Sequence, residues 1–305
     1  MAKDDVVDLN VKYGLGGAVQ FYQGEGGLTL VDIANNLGTA TLALQGAQLL
    51  TWAPRRERPV VWLSPEAKYV AGKSMRGGAP VCWPWFGAHP SDNTFPAHGF
   101  ARNVPWEVVG SAVLPNGATA LTLRLIQDGS TRKFWSHASE LTLRLVVGQV
   151  AEVDLITGNT GSETFTITQA LHTYFAVGNV RDVVVHGLSG LEYFDKADAG
   201  KHKKQDGPVA FFAETDRIYF NSTADCLIDD PRWRRRIRVS KRGSNSTVVW
   251  NPWIEKTIKL GDMGKDGYLN TLCVESTNAA TDVVTLAPGQ THTLHVRYSV
   301  EALPR

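Results

Sequence analysis

The chain has 305 residues, 43% of them apolar, with 31 basic and 30 acidic side chains and a formal net charge of +1. That length and apolar share suffice for one large β domain or two smaller ones. The charge balance argues against nucleic acid or an anionic membrane as a partner of the whole surface. Three cysteines, Cys82, Cys226 and Cys273, make no disulfide framework, and their apolar surroundings predict buried thiols. No Cys/His cluster has metal-ligand spacing, so no structural zinc is expected. No run approaches the length of a membrane span. Met1-Ala2-Lys3-Asp4-Asp5 carries charge without an apolar stretch, so no signal peptide and a cytoplasmic protein are expected.

In chain order, residues 1–20 read as a loosely held extension, and the absence of a Gly/Ser- or Pro-rich linker makes 21–305 one domain. The densest segment follows: Arg76-Gly77-Gly78-Ala79-Pro80-Val81-Cys82-Trp83-Pro84-Trp85-Phe86-Gly87, then His98-Gly99-Phe100-Ala101-Arg102. Glycines and proline beside Arg76 predict either an irregular backbone that presents the guanidinium or a Pro-interrupted edge strand with aromatic core residues. Trp83, Trp85 and Phe86 offer flat faces for core packing or for stacking on a sugar ring. Arg102 is a candidate anion ligand, because guanidinium grips phosphate through paired hydrogen bonds; a surface ion pair is its plainer alternative. His98 lies in the same loop-like stretch.

Period-2 alternation then predicts half-buried antiparallel strands at Leu121–Leu125 and Leu141–Leu145, over Phe165, Ile167 and Gln169 on one face, and over Leu294, Val296, Tyr298 and Val300 at the end. Turn signals such as Pro115-Asn116-Gly117 and Gly158-Asn159-Thr160-Gly161 punctuate them. Many short strands of this kind mean a sandwich or barrel. Residues 196–206 read as an exposed polar loop, and Asp229-Asp230-Pro231-Arg232-Trp233-Arg234-Arg235-Arg236 as an exposed charged hairpin. Asp216, in Glu214-Thr215-Asp216, is either a substrate ligand or a turn cap.

Two ionisable groups stand in strand-like apolar sequence: His172 in Leu171-His172-Thr173-Tyr174-Phe175, and Glu275 in Cys273-Val274-Glu275. A lone ionisable side chain is costly to bury there. A cleft holding both would pair a group that titrates near neutrality with a carboxylate, which is the equipment of general acid and base catalysis.

Six ordered segments together resemble one family: the Arg76–Gly87 stretch, His98–Arg102, Leu171–Phe175, Glu214–Asp216, Val248-Val249-Trp250-Asn251-Pro252-Trp253 and Cys273–Glu275. They resemble the glucose-6-phosphate 1-epimerases, the hexose-6-phosphate mutarotase branch of the aldose 1-epimerase superfamily, over residues 25–300. The resemblance implies an all-β, galactose-mutarotase-like antiparallel β-supersandwich. It implies interconversion of the α and β anomers of a D-hexose 6-phosphate without cofactor or metal. The residue matching His172 is then a catalytic acid and that matching Glu275 a catalytic base. Those matching Arg76, His98, Arg102 and Asp216 bind substrate. Ala97 departs from the pattern, standing where some members of the family have a glutamine just before His-Gly, which bears on sugar specificity. A monomer acting on a small phosphosugar, with no nucleic acid and no membrane, is the expectation. The rivals are a non-catalytic carbohydrate-binding sandwich, a glycosidase using Glu275 with Asp216, and a mutarotase of unphosphorylated aldoses.

Overall fold

The computed structural model describes residues 6–304. Its strands form four antiparallel sheets, of which two large ones dominate. The nine-stranded sheet runs, in spatial order, Val209–Ala210, Val184–His186, Cys226–Asp230, Arg235–Arg242, Thr291–Ala302, Ala151–Asn159, Ser139–Val147, Thr119–Leu125 and Trp106–Val113. The eight-stranded sheet runs Lys201–Lys204, Glu192–Asp195, Thr215–Tyr219, Ser246–Asn251, Thr271–Asn278, Gln169–Leu171 and Val81–Cys82, with Tyr174–Ala176 also paired to Thr271–Asn278. This is the expected antiparallel supersandwich.

Alternation explains the nine-stranded sheet. Leu141, Leu143 and Leu145 are buried on one face, while Thr142 and Arg144 stay half-exposed on the other. The central strands of the eight-stranded sheet behave differently. Ser246–Asn251 and Thr271–Asn278 are buried at every position. One face (Val249, Leu272, Val274) joins Leu143, Leu155, Ile237 and Leu294 of the other sheet in the main core. Polar bonds cross the same layer: Tyr298 OH lies 2.7 Å from Thr173 Oγ1, and Trp83 Nε1 donates to Thr157 Oγ1 at 3.1 Å. The opposite face (Val248, Trp250, Cys273) forms a second cluster with Trp62, Tyr174 and Ile218.

Several expectations are corrected. Residues 6–20 are tied down: Val6–Tyr13 is a helix with Leu9 buried, and Asn10 exchanges hydrogen bonds with the backbone of Phe21, at 2.8 and 2.9 Å. Residues 1–5 lie outside the described residues. Phe165–Ile167 and Gln169–Leu171 do not form one strand, because the chain changes sheet at Thr168. The 196–206 loop is a one-turn helix, Lys196–Asp198, followed by the edge strand Lys201–Lys204. An edge strand needs no apolar side chains, and lysines guard it against further pairing. The charged hairpin is present, with Cys226–Asp230 paired to Arg235–Arg242, but it is not exposed throughout: Asp230 and Arg235 are buried. Trp83 and Trp85 are core residues, buried against Phe100, and of that trio Phe86 reaches the cavity described next.

Candidate active site

Directly paired residues of an antiparallel sheet point to the same face. Asp216 pairs with Trp250, Trp250 with Cys273, and Cys273 with Tyr174; one row over, Val248 pairs with Glu275. All of these therefore project from the face opposite the main core. Leu171, Thr173 and Phe175 point into the core, so His172 falls on the Glu275 side. The His172 amide is held by the Pro80 carbonyl at 3.0 Å.

That face floors a cavity of about 460 Å³, a volume typical of small-molecule sites. Arg76, His98, Arg102, His172, Asp216 and Glu275 all line it. His172 Nε2 lies 3.4 Å from Glu275 Oε1. The imidazole stacks on the Tyr174 ring, with centroids 5.0 Å apart and planes at 14°, and Trp250 meets its edge at 6.0 Å. Glu275 is 1% exposed. Burial holds its carboxyl well above the usual carboxylate range, the Asp216 carboxylate pushing the same way and Lys196 and Arg102 opposing. Burial likewise holds the His172 imidazole well below its ordinary value, helped by His98 and Arg102. His172 Nδ1 and Glu275 Oε2 are both buried without a hydrogen-bond partner.

His98 adopts a left-handed backbone, φ 64°, and its Nδ1 accepts the Gly87 N–H at 3.3 Å. The ring proton therefore resides on Nε2. Burial, with Arg102 and Lys196 nearby, lowers this imidazole to about 3, so it stays neutral. The next residue must be glycine, since a Cβ at Gly99 would sit 1.9 Å from the Trp83 carbonyl oxygen.

The two arginines differ. Arg102 donates from Nη2 to the Ala97 carbonyl at 2.9 Å, its Nε is buried without a partner, and among the described residues it makes no ion pair. The surface-ion-pair alternative thus fails for it. Arg76 is held by Asp262, Nε to Oδ1 at 2.9 Å, and by the Tyr174 hydroxyl, Nη1 to Oη at 3.0 Å. Its loop is irregular, as expected: Gly77 and Gly78 both have positive φ, and a Cβ at Gly78 would lie 2.3 Å from the Leu49 carbonyl oxygen. The buried Gln48 amide pins the loop by donating to the Met75 and Gly77 carbonyls at 2.9 and 2.8 Å. Asp216 is a strand residue rather than a turn cap. Lys196 and Lys256 approach it to 3.6 and 3.9 Å, and burial raises its carboxyl despite them.

Sequence reasoning missed Lys73, Lys196 and Lys256 as lining residues, along with Tyr174, Trp250 and the Arg76 partner Asp262. Lys196 was hidden in a segment that reads as solvated surface. Lys256 carried a signal, because it stands three residues beyond Trp253 in the tryptophan-rich block. The helix Trp253–Leu260 carries it to the cavity, where it also bonds Glu214 at 2.6 Å.

Comparison with known proteins agrees with this architecture. Residues 29–299 match the aldose 1-epimerase family. An Escherichia coli protein provisionally named glucose-6-phosphate 1-epimerase is 41% identical over 254 residues, 83% of this chain and 84% of its own. A protein of the same provisional name from Cenchrus ciliaris is 32% identical over 260 residues, 82% of this chain and 78% of its own. The crystal structure of a provisionally named mutarotase from Salmonella typhimurium superposes with a TM-score of 0.87 at 35% identity, covering 93% of this chain and 94% of that one. A galactose mutarotase-like protein from Lactobacillus casei shares the fold at 18% identity, with a TM-score of 0.69 over 89% of this chain and all of its own. The chain belongs to the aldose 1-epimerase family of isomerases.

Proposed function

We propose that this protein interconverts the α and β anomers of a D-hexose 6-phosphate, glucose 6-phosphate first among them. The observation that carries the reading is the His172–Glu275 contact at 3.4 Å in the wall of a cavity that also holds an arginine without a carboxylate partner. Five cations (Lys73, Arg76, Arg102, Lys196, Lys256) and two carboxylates (Asp216, Glu275) line that cavity. This excess suits an anionic sugar better than a neutral one. A binding module would have no use for a buried acid–base pair. A glycosidase works with two carboxyl groups flanking the scissile bond, whereas the group in contact with Glu275 here is an imidazole, at 3.4 Å.

Mutarotation removes a proton from the anomeric hydroxyl and delivers one to the ring oxygen. The open aldehyde turns about C1–C2, and the two groups reverse roles. Glu275 accepts the first proton and His172 supplies the second. Burial disfavours the charged form of each, so the resting pair shares one proton in a neutral arrangement. Moving it from Glu275 to His172 across the short contact creates the base and the acid together, with no change in net charge. His98, fixed as the Nε2–H tautomer, donates to a sugar oxygen, and Asp216 accepts from sugar hydroxyls.

Arg102 and Arg76 take the phosphate. A hydrogen bond to a charged group contributes about 1.5–3 kcal/mol, so two such contacts favour the phosphosugar by roughly two to four powers of ten. Polarimetry or NMR of freshly dissolved α-glucose 6-phosphate tests the proposal: equilibration must quicken with enzyme, and far more than for α-glucose. Equal acceleration of both sugars would remove the phosphate from the reading, and no acceleration of either would remove the catalysis.

A further inference from the structure

Behind the cavity wall, Cys273 completes a cluster with the acid–base pair. One donor atom each from His172, Cys273 and Glu275 lie within 4.8 Å of one another. The backbone explains why. Cys273 and Glu275 alternate onto the same face of Thr271–Asn278, and His172 lies two residues before Tyr174, the register partner of Cys273, so it reaches that face from the neighbouring chain segment. Nitrogen, sulfur and carboxylate oxygen are the three donor types of zinc sites. Independent of that proximity, His172 Nδ1 and Glu275 Oε2 are buried polar atoms without a partner, and unmet donors and acceptors of this kind call for an occupant. No spacing pattern announces this cluster, because His172 and Cys273 are far apart along the chain.

We propose that His172, Cys273 and Glu275 form a three-ligand site for Zn²⁺, occupied in competition with sugar turnover. Neutral imidazole, thiolate and carboxylate around a divalent ion sum to zero charge, which is tolerable beside Arg102 and Lys196. Binding releases the thiol proton and the proton shared by His172 and Glu275 to solvent; nothing is oxidised or reduced. Zinc bonds of about 2.0–2.3 Å require the three donors to draw together by roughly an ångström. The fourth position faces the cavity, open to water or a sugar hydroxyl. The occupied state is inactive, because the metal holds the lone pairs that must move protons.

The test uses the full chain, freed of metal by chelation, with Co²⁺ as the spectroscopic probe and Zn²⁺ as the inhibitor. Wild type is expected to show a thiolate-to-cobalt charge-transfer band that Zn²⁺ abolishes, and Zn²⁺ should inhibit mutarotation reversibly. Cys273→Ser should keep its mutarotation, lose the band and need more Zn²⁺ for half-inhibition. The increase should be at least the roughly 100-fold that losing a mere supporting partner can cost. Cys82→Ser, a buried thiol outside the cluster, should behave as wild type. If Cys273→Ser does not fold, the wild-type cobalt spectrum decides alone. Absence of the band, or undiminished zinc inhibition of Cys273→Ser, overturns the proposal. The spectral readout stands whether or not the protein turns over any sugar, so its failure is distinct from failure of the mutarotase reading.

Discussion

At the level of single residues, the proposed chemistry rests on two buried groups with opposite displacements. Glu275→Gln keeps the shape but cannot accept a proton, so kcat should fall by about 10²- to 10⁴-fold, the usual contribution of a positioned base, with the circular dichroism spectrum unchanged. Near-wild-type turnover would exclude Glu275 from the reaction. The pair also sets the pH profile. Activity needs one shared proton, which is gained in excess only below the His172 value and lost only above the Glu275 value. His172 is displaced down from 6.5 and Glu275 up from 4.5, so the plateau of kcat should extend beyond both ordinary values. A narrow bell between 4.5 and 6.5 would show that the pair is not buried as described. His98 makes a separate prediction. Its folded imidazole titrates near 3, against 6.5 ordinarily; below 6.5 the unfolded chain therefore binds a proton that the folded chain refuses, and stability falls with pH. From pH 6.5 to 5 this costs about 2 kcal/mol at 1.36 kcal/mol per unit. His98→Asn, a residue tolerant of the left-handed backbone, should shed that loss in urea midpoints at the two pH values. Parallel behaviour of wild type and variant would mean that His98 is solvated.

Strands and loops decide how these residues meet, and here the sequence was unevenly informative. Period 2 revealed the strands of the nine-stranded sheet, where Leu141, Leu143 and Leu145 alternate with polar neighbours. It could not reveal the face to which Val248, Trp250 and Cys273 belong, because strands buried on both sides show no alternation. His172 and Glu275 were legible because each interrupts apolar sequence, whereas Lys196 was not: a lysine in a polar run looks the same whether it meets water or Asp216. The glycines around Arg76 correctly marked an irregular loop, but its anchor, Gln48, lies far upstream with no pattern of its own. Replacing that amide tests the loop's role. Gln48→Leu leaves the Met75 and Gly77 carbonyls unmet, at about 1–3 kcal/mol for each buried group, and releases the segment that carries Arg76. KM for the phosphosugar should rise while the pH plateau, a property of the other wall, stays in place. A changed plateau with unchanged KM would separate the loop from substrate binding. Arg102→Ala should likewise raise KM, without the stability loss, since Arg102 meets a single backbone carbonyl.

Across the whole molecule, near-neutrality conceals a strongly uneven field. The formal charge of +1 is the remainder of 31 basic and 30 acidic side chains, yet the cavity lining alone holds five cations against two carboxylates. A cleft of one sign with low-dielectric walls raises the local concentration of an opposite charge and quickens its capture. The loop that carries Lys73 and Arg76, the one-turn helices Ala101–Asn103 and Lys196–Asp198, and the helix Trp253–Leu260 deliver those cations from separate parts of the chain, so the field is a property of the fold rather than of a charge run. Salt should expose it. The screening length shrinks from about 30 Å at 0.01 M to about 10 Å at 0.1 M ionic strength. Over that range kcat/KM for glucose 6-phosphate should fall several-fold, while the slower reaction of glucose stays level. Lys196→Gln and Lys256→Gln should flatten the salt dependence for the phosphosugar and leave that for glucose unchanged. If the two sugars respond alike to salt, the cations serve the fold and not the substrate, and the preference for a phosphorylated hexose must come from Arg76 and Arg102 at contact range alone.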